Sequence, residues 1–212
     1  MSIATRAWPA EELAAGYDLL ATAFLYGPLQ LDSGVREAWQ HRLAGHADLL
    51  TTWQEVEAAL VGLAAQKRAL DDFQRCLEIP LPGQFVPPYA SLYLDSPPQL
   101  WGVSTQRVLV WYRAGGVEWR PFRQVAAPDH VGVEWAFLAE LSAHPSPAAR
   151  LLRQTFISEH LAKWLPAFAA RLNQAAASPY YPALTRWAML WSRATEDNRE
   201  PPGEGPVTPP TD

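Results

Sequence analysis

The chain has 212 residues, of which 49% are hydrophobic and 18% are charged, a balance that excludes a disordered chain and suits a buried core. No apolar run reaches the roughly 18–20 residues of a spanning helix, and a formal net charge of −5 without a basic cluster argues against nucleic-acid binding. One cysteine, Cys76, excludes an internal disulfide, and the absence of an export-signal pattern at the start then predicts a cytoplasmic protein without stable membrane insertion.

The first third of the chain predicts helices separated by short breaks. The first covers residues 10–26 and ends at a Gly-Pro pair, and the second covers Ser33–Leu43. A third begins near His46, and the pattern leaves open whether it continues or breaks before residues 71–77. The first helix has one apolar stripe at helical spacing, formed by Leu13, Tyr17, Leu20 and Phe24.

The middle of the chain changes character. Residues 79–88 contain four prolines and a glycine, which predicts a loop, and the aromatic segment that follows has no period that assigns it. Residues 104–114 contain a run of apolar residues typical of a strand, but the segment begins and ends with residues typical of helix boundaries. We interpret them as a helix, because Ser104 suits an N-cap and two glycines follow the segment.

Three further helices are predicted in the last third. Asp129 is expected to cap a helix that ends near residue 143, and Ser146 followed by proline begins another that continues to about residue 177. Pro166 should kink or split that long helix. A second serine-proline pair, at Ser178, begins the last helix, whose apolar face includes Trp187.

The elements together predict an all-α, single-domain bundle of about seven to ten helices over residues 1–195, with a proline-rich loop near the middle. Residues 196–212 are rich in proline, glycine and acidic side chains, which predicts a disordered tail. No internal repeat is present in the sequence.

The motifs of common enzyme and metal sites are missing from the sequence. It contains no phosphate-binding glycine loop, no HExxH, no CxxC and no GxSxG turn. Cys76 stands among apolar residues and is interpreted as a core residue rather than a nucleophile. We therefore predict no catalytic residues, no metal ligands, no cofactor and no enzymatic activity.

Four segments of the C-terminal two-thirds contain motifs in a characteristic order. Residues 87–95 (PPYASLYLD) lead into residues 100–116, and residues 127–141 contain Pro-Asp-His and a downstream glutamate. Residues 156–168 contain a Phe…His-Leu…Trp-x-Pro-x-Phe pattern, and residues 177–191 give the last helix an aromatic start. In this order and spacing the segments resemble the TorD/DmsD/NarJ family of redox-enzyme maturation chaperones, which has Pro-Asp-His as a hallmark.

The resemblance implies a TorD-like helical fold and a function. Such proteins are cytoplasmic chaperones that bind the N-terminal leader of a molybdenum-containing oxidoreductase, often a twin-arginine signal. They hold the apoenzyme until its molybdopterin cofactor and iron–sulfur clusters are inserted. The implied partners are therefore a leader peptide and the apo form of a molybdopterin oxidoreductase, and the chaperone itself is a monomer or a homodimer.

The predicted peptide site combines residue chemistry with the resemblance. An apolar leader calls for aromatic groove walls, and its arginines call for carboxylates. The resemblance implies that the Pro-Asp-His and Pro-Tyr residues lie at the site. The predicted peptide-binding residues are Pro88, Tyr89, Tyr93, Asp95, Trp101, Asp129, His130 and Glu134.

Structural roles compete with these assignments. Asp129 can be only an N-cap, and His130 can be only a surface residue. Glu134 is more readily a helix-surface or satisfied buried carboxylate than a ligand contact, and the three aromatic residues can belong to the core. Trp135 stands where the family commonly has an aliphatic residue, and Tyr89 stands where some members have Trp. These departures leave open which enzyme the chaperone serves. Two other functions also remain open: a helical scaffold or regulator that binds a folded partner, and a weak nucleotide hydrolase.

Overall fold

The computed structural model describes residues 8–122 and 125–196 of the 212-residue chain. Of the predicted tail, residues 196–212, only Glu196 is described, and it ends the last helix; the rest of the tail and residues 1–7 lie outside the described residues. Within them the protein is all-helical, with one isolated β-bridge and no strand. None of the described helices has the length and apolar character needed to cross a bilayer. The all-α prediction is confirmed.

The first half of the fold contains four helices and a π-helical segment. The helix that the sequence left undecided breaks at Gly62, whose φ of 83° is left-handed, and the chain resumes as a separate helix. The predicted second helix has the expected bounds, because Asp32 accepts a hydrogen bond from Val35 N at 2.8 Å and caps it. The elements are α1 (Ala10–Leu25), α2 (Ser33–Leu43), α3 (Ala47–Ala58), α4 (Leu63–Asp72) and the π segment Phe73–Glu78.

The second half follows the proline-rich residues 79–88, which contain no helix, as predicted. A single short turn of helix, α5, forms in the aromatic segment that the sequence could not assign. The elements are α5 (Ser91–Leu94), α6 (Val103–Ala114), α7 (Val131–Ala143), α8 (Pro147–Phe156), the π segment Ile157–Leu161, α9 (Ala162–Ala175) and α10 (Tyr180–Glu196).

Pro166 does not split its helix where it stands. It lies inside α9, and the change in winding comes one turn earlier, in the π segment Ile157–Leu161. A proline ring crowds the carbonyl four residues before it, and a π turn is one way to relieve a helix of that crowding. The predicted disruption is therefore found, but on the N-terminal side of the proline.

The core is formed by α1, α7, α9 and α10 and is unusually aromatic. Helix α1 packs along α7, and α10 packs against α3 and α9. Trp135, Trp164, Trp187 and Trp191 are fully buried. Gly16 allows α1 to approach α10, because a Cβ at that position would overlap the ring of Trp191. Since α1 is held this tightly to α7, its C-terminal end lies beside the start of α7, where the candidate site forms.

Candidate functional site

Two motifs that are about forty residues apart in the chain are paired through their backbones. Val131 N donates to Pro88 O at 2.8 Å, and Ala90 N donates to Asp129 O at 3.0 Å. Tyr89 and His130 face each other in an antiparallel bridge between these two bonds. The proline-rich loop is thereby fixed to the N-terminus of α7, and the structure brings together the two segments that the sequence singled out.

His130 begins α7. Its Nδ1 accepts a hydrogen bond from Gly132 N at 3.1 Å, which makes it the N-cap in place of the predicted Asp129. The neutral imidazole must then carry its proton on Nε2. Burial of the ring lowers the pKa of His130 to about 3, because the charged form would lose its hydration. The site therefore contains a neutral histidine near pH 7.

Asp129 is fully buried and has a different task from the one predicted. Its Oδ2 accepts a hydrogen bond from Ser91 N at 2.7 Å, so the carboxylate caps α5 and not α7. Within the described part of the chain its Oδ1 has no hydrogen-bond partner. The backbone bridge directs the side chain away from its own helix, since the residue's carbonyl is already paired with Ala90 N.

Tyr89 and Trp101 both bind the backbone of Ala126, one at its N–H and the other at its carbonyl. Tyr89 Oη accepts from Ala126 N at 3.0 Å, and the indole of Trp101 donates to Ala126 O at 3.0 Å. The Tyr89 ring lies 5.2 Å from the His130 ring, and burial raises the pKa of Tyr89. Trp101 is 46% exposed and has a φ of 62°, a conformation that residues with side chains rarely adopt.

Asp95 caps α6 from outside the helix. Its Oδ1 accepts from Ser104 N at 3.1 Å and from Ser104 Oγ at 2.5 Å. The prediction that Ser104 itself is the N-cap is wrong, because α6 begins at Val103 and Gly102 is the N-cap residue. The carboxylate that satisfies the first turn comes from a neighbouring loop, which local spacing could not indicate.

Glu134 and Tyr93 lie away from the Tyr89–His130 pair. Glu134 is fully buried, with Oε1 2.7 Å from His160 Nε2 and Oε2 accepting from Trp164 Nε1 at 3.2 Å. We call these three residues the core cluster. Burial raises the pKa of Glu134, and the contact with His160 opposes that shift. Tyr93 packs on Trp164, with ring centroids 5.5 Å apart.

A cleft of about 330 Å³ opens on one side of the Tyr89–His130 pair, and we call it the His130 cleft. Of the eight predicted residues, Tyr89 and His130 line it. The remaining lining residues come from α1, from the first π segment and from the two loops. They are Phe24, Leu25, Phe73, Leu77, Glu78, Phe85 and Val125.

Sequence reasoning missed these seven residues. Phe24 was recognised only as part of the stripe of α1, and nothing in the local pattern indicates that the end of α1 reaches residue 130. Glu78 is exposed, and among the described residues it makes no hydrogen bond or ion pair. The cleft can therefore hold an apolar side chain against its walls and a cation beside Glu78.

The described residues contain no group of three or more His, Cys, Asp or Glu side chains arranged to hold a metal ion. Cys76 is fully buried behind the cleft, and burial raises the pKa of its thiol, which disfavours the reactive thiolate. The hydrogen bonds of Tyr89 and His130 go to the backbone N–H groups of Ala126 and Gly132 and hold these two lining residues in place.

Residues 30–170 match the family model described as nitrate reductase delta subunit. The chain belongs to the nitrate reductase delta subunit family. This confirms the resemblance to TorD/DmsD/NarJ proteins, and the matched range contains the proline-rich loop, Tyr89 and His130. Helices α1 and α10 lie outside it, although α1 supplies two residues of the cleft wall.

Individual members of the nitrate reductase delta subunit family are similar over shorter ranges. The chain is 30% identical over 115 residues to the chaperone protein TorD of Shewanella pealeana, covering 50% of each chain. It is 35% identical over 113 residues to the chaperone protein TorD of Vibrio cholerae serotype O1, covering 49% of this chain and 50% of the relative. The chain thus spans about half the length of the curated relatives it matches.

Proposed function

We propose that this protein is a cytoplasmic chaperone for the maturation of a molybdenum-containing oxidoreductase, and that it works by binding and not by catalysis. It binds the N-terminal leader of the apoenzyme, of the twin-arginine type, and holds the client while its cofactors are inserted. The family membership supports the class of function, and the His130 cleft supports the binding of a leader.

The observation that carries the proposal is the composition of the His130 cleft. Its walls are aromatic and aliphatic side chains from segments across the chain, and Glu78 is the one ionised side chain among the described residues that line it. His130 adds no positive charge, because its pKa is lowered to about 3. An apolar wall with one unpaired carboxylate matches a leader that carries arginine beside apolar residues.

The other predicted residues support the cleft from behind in this proposal. Pro88 and Asp129 fix the bridge through their carbonyls, and Trp101 fixes Ala126 next to the lining residue Val125. A groove whose walls are already ordered loses less entropy when a peptide binds. The remaining three predicted residues do not line the cleft and instead order the elements around it. They are Tyr93 in α5, Asp95, whose carboxylate caps α6, and Glu134 in the core cluster.

Calorimetry with a synthetic twin-arginine leader and the full chain tests the proposal. We expect a dissociation constant in the micromolar range or tighter. Phe85→Ala removes a half-buried aromatic wall and should weaken binding about tenfold, the equivalent of roughly one buried apolar group. Glu78→Gln should weaken it about threefold, because an exposed ion pair contributes little.

A matched control separates charge recognition from nonspecific effects. Glu37→Gln changes an exposed glutamate on α2 that lines none of the clefts, and it should leave the affinity unchanged. A leader whose two arginines are replaced by glutamine should bind the wild type and Glu78→Gln equally. The proposal would be overturned if no molybdoenzyme leader binds the wild-type protein.

A further inference from the structure

A second cavity adjoins the His130 cleft and shares one wall with it. It has a volume of about 550 Å³ and lies between the end of α1, the exposed side of α7 and residues 116–122, and we call it the Trp119 cavity. Leu25 lines both spaces. The side chain of Leu25 rests on Gly132, where a Cβ would lie 2.6 Å from Leu25 Cγ. The two spaces are therefore neighbours across one leucine.

The lining of the Trp119 cavity is mostly apolar and partly open to solvent. Tyr26 is 54% exposed and Phe122 is 39% exposed, with ring centroids 5.8 Å apart. Ala136 on α7 is exposed on the opposite wall. Exposed rings grouped beside small side chains indicate a surface that an apolar partner can cover.

The charges of the two spaces differ. In the Trp119 cavity Glu118 pairs with Arg120 at 3.0 Å, and Glu140 contacts His144 Nδ1 at 3.1 Å. In the His130 cleft Glu78 has no such partner among the described residues. A cationic segment therefore gains more beside Glu78. An apolar segment gains more in the Trp119 cavity, where Glu118 is already paired and Arg120 repels a further cation.

We propose that the Trp119 cavity is a second subsite of the same leader, and that the leader binds with a fixed polarity. The arginine-containing front lies in the His130 cleft, and the apolar run that follows it crosses Leu25 into the Trp119 cavity. An extended chain advances about 3.3 Å per residue, so a few residues are enough to cross one leucine side chain. The inference rests on the proposed function, because it needs a leader in the His130 cleft.

Ala136→Arg tests the second subsite with two peptides. It places a long charged side chain on an exposed wall of the cavity, so folding should be retained. A leader that includes the apolar run should bind this variant about tenfold more weakly than the wild type, since roughly one apolar group is displaced. A shortened leader that ends after the arginines should bind both proteins equally. Ala170→Arg, on the exposed side of α9, is the matched control and should change neither affinity.

Photo-crosslinking tests the polarity. A leader with benzoylphenylalanine in its apolar run should form adducts on Tyr26, Phe122 or their neighbours, as located by mass spectrometry. The same group placed beside the arginines should label the segments that contain Phe73, Leu77 or Phe85. The reverse distribution would overturn the proposed polarity.

The outcomes separate the two proposals. Tight binding of both leaders to Ala136→Arg would sink the second subsite and leave the chaperone proposal intact. A wild-type protein that binds neither leader would remove both proposals together.

Discussion

Glu134 and His130 are four residues apart at the start of α7, yet they belong to two different regions. Glu134 points into the core cluster, where His160 and Trp164 bind both of its carboxylate oxygens. His130 points toward a cleft, and its hydrogen bond goes to the backbone of its own helix. In the core the polar side chains bind one another, whereas at the cleft they bind backbone groups and the buried ring of His130 lines the space.

The comparison shows that a buried polar side chain can hold a backbone segment in place. Tyr89, Asp129 and His130 each use a polar atom to accept from a backbone N–H, of Ala126, Ser91 and Gly132 in turn. Ala126 adjoins the lining residue Val125, whereas Ser91 and Gly132 lie in the first turns of α5 and α7. Both regions are buried, and the partners of their hydrogen bonds distinguish them.

The largest expected effect is on the core cluster. Glu134→Ala leaves His160 and Trp164 without their buried acceptor and should lower the free energy of unfolding by about 3 kcal/mol. Glu134→Gln keeps one acceptor and should lose less. Urea unfolding measures both. Below the unfolding transition the leader affinity should stay within about twofold of the wild type, and a larger loss would break the distinction between core and cleft.

The pH dependence of stability tests the buried state of His130. Burial lowers the pKa of His130 from its ordinary value of 6.5 to about 3 in the folded protein. The unfolded chain therefore binds more protons between these limits, and stability falls as pH decreases. Between pH 8 and pH 5 this residue alone should cost about 2 kcal/mol. His130→Asn supplies the control, because asparagine keeps an N-cap acceptor and does not titrate. If the free energy of unfolding of the wild type and of His130→Asn depends on pH to the same extent, His130 is hydrated in the folded protein.

The smallest expected effect concerns Asp129. Asp129→Ala removes the acceptor for Ser91 N and should lower the free energy of unfolding by about 1 kcal/mol, with weaker leader binding as the cleft wall loosens. Asp129→Asn retains an acceptor and should restore both properties. If Asp129→Asn is as stable as the wild type but binds the leader as weakly as Asp129→Ala, the carboxylate charge itself contacts the leader.

Local signals in the sequence determined the helices of this protein. Ser146 accepts a hydrogen bond from the N–H three residues later and caps α8, as predicted. Asp32 caps α2 in the same way, at the start of the predicted second helix. The prolines of residues 79–88 excluded a helix there, since they lack the N–H donor. The ordered motifs also indicated the family. All of these signals act within a few residues, so no knowledge of the tertiary structure is needed.

The tertiary structure decided which side chains meet. The sequence identified Tyr89 and His130, and a buried carboxylate was one of the interpretations of Glu134. It could not indicate that Asp129 turns to Ser91, that Asp95 caps α6, or which residues Glu134 binds. The walls that α1 and the first π segment contribute to the cleft were also beyond it. Each of these contacts joins segments that are separate in the sequence. The packing of α1 against α7, for example, brings Phe24 and His130 to one cleft, although they are about a hundred residues apart. Spacing along the chain records the period of a helix, but the partner of a buried polar group is set by whichever segment packs beside it.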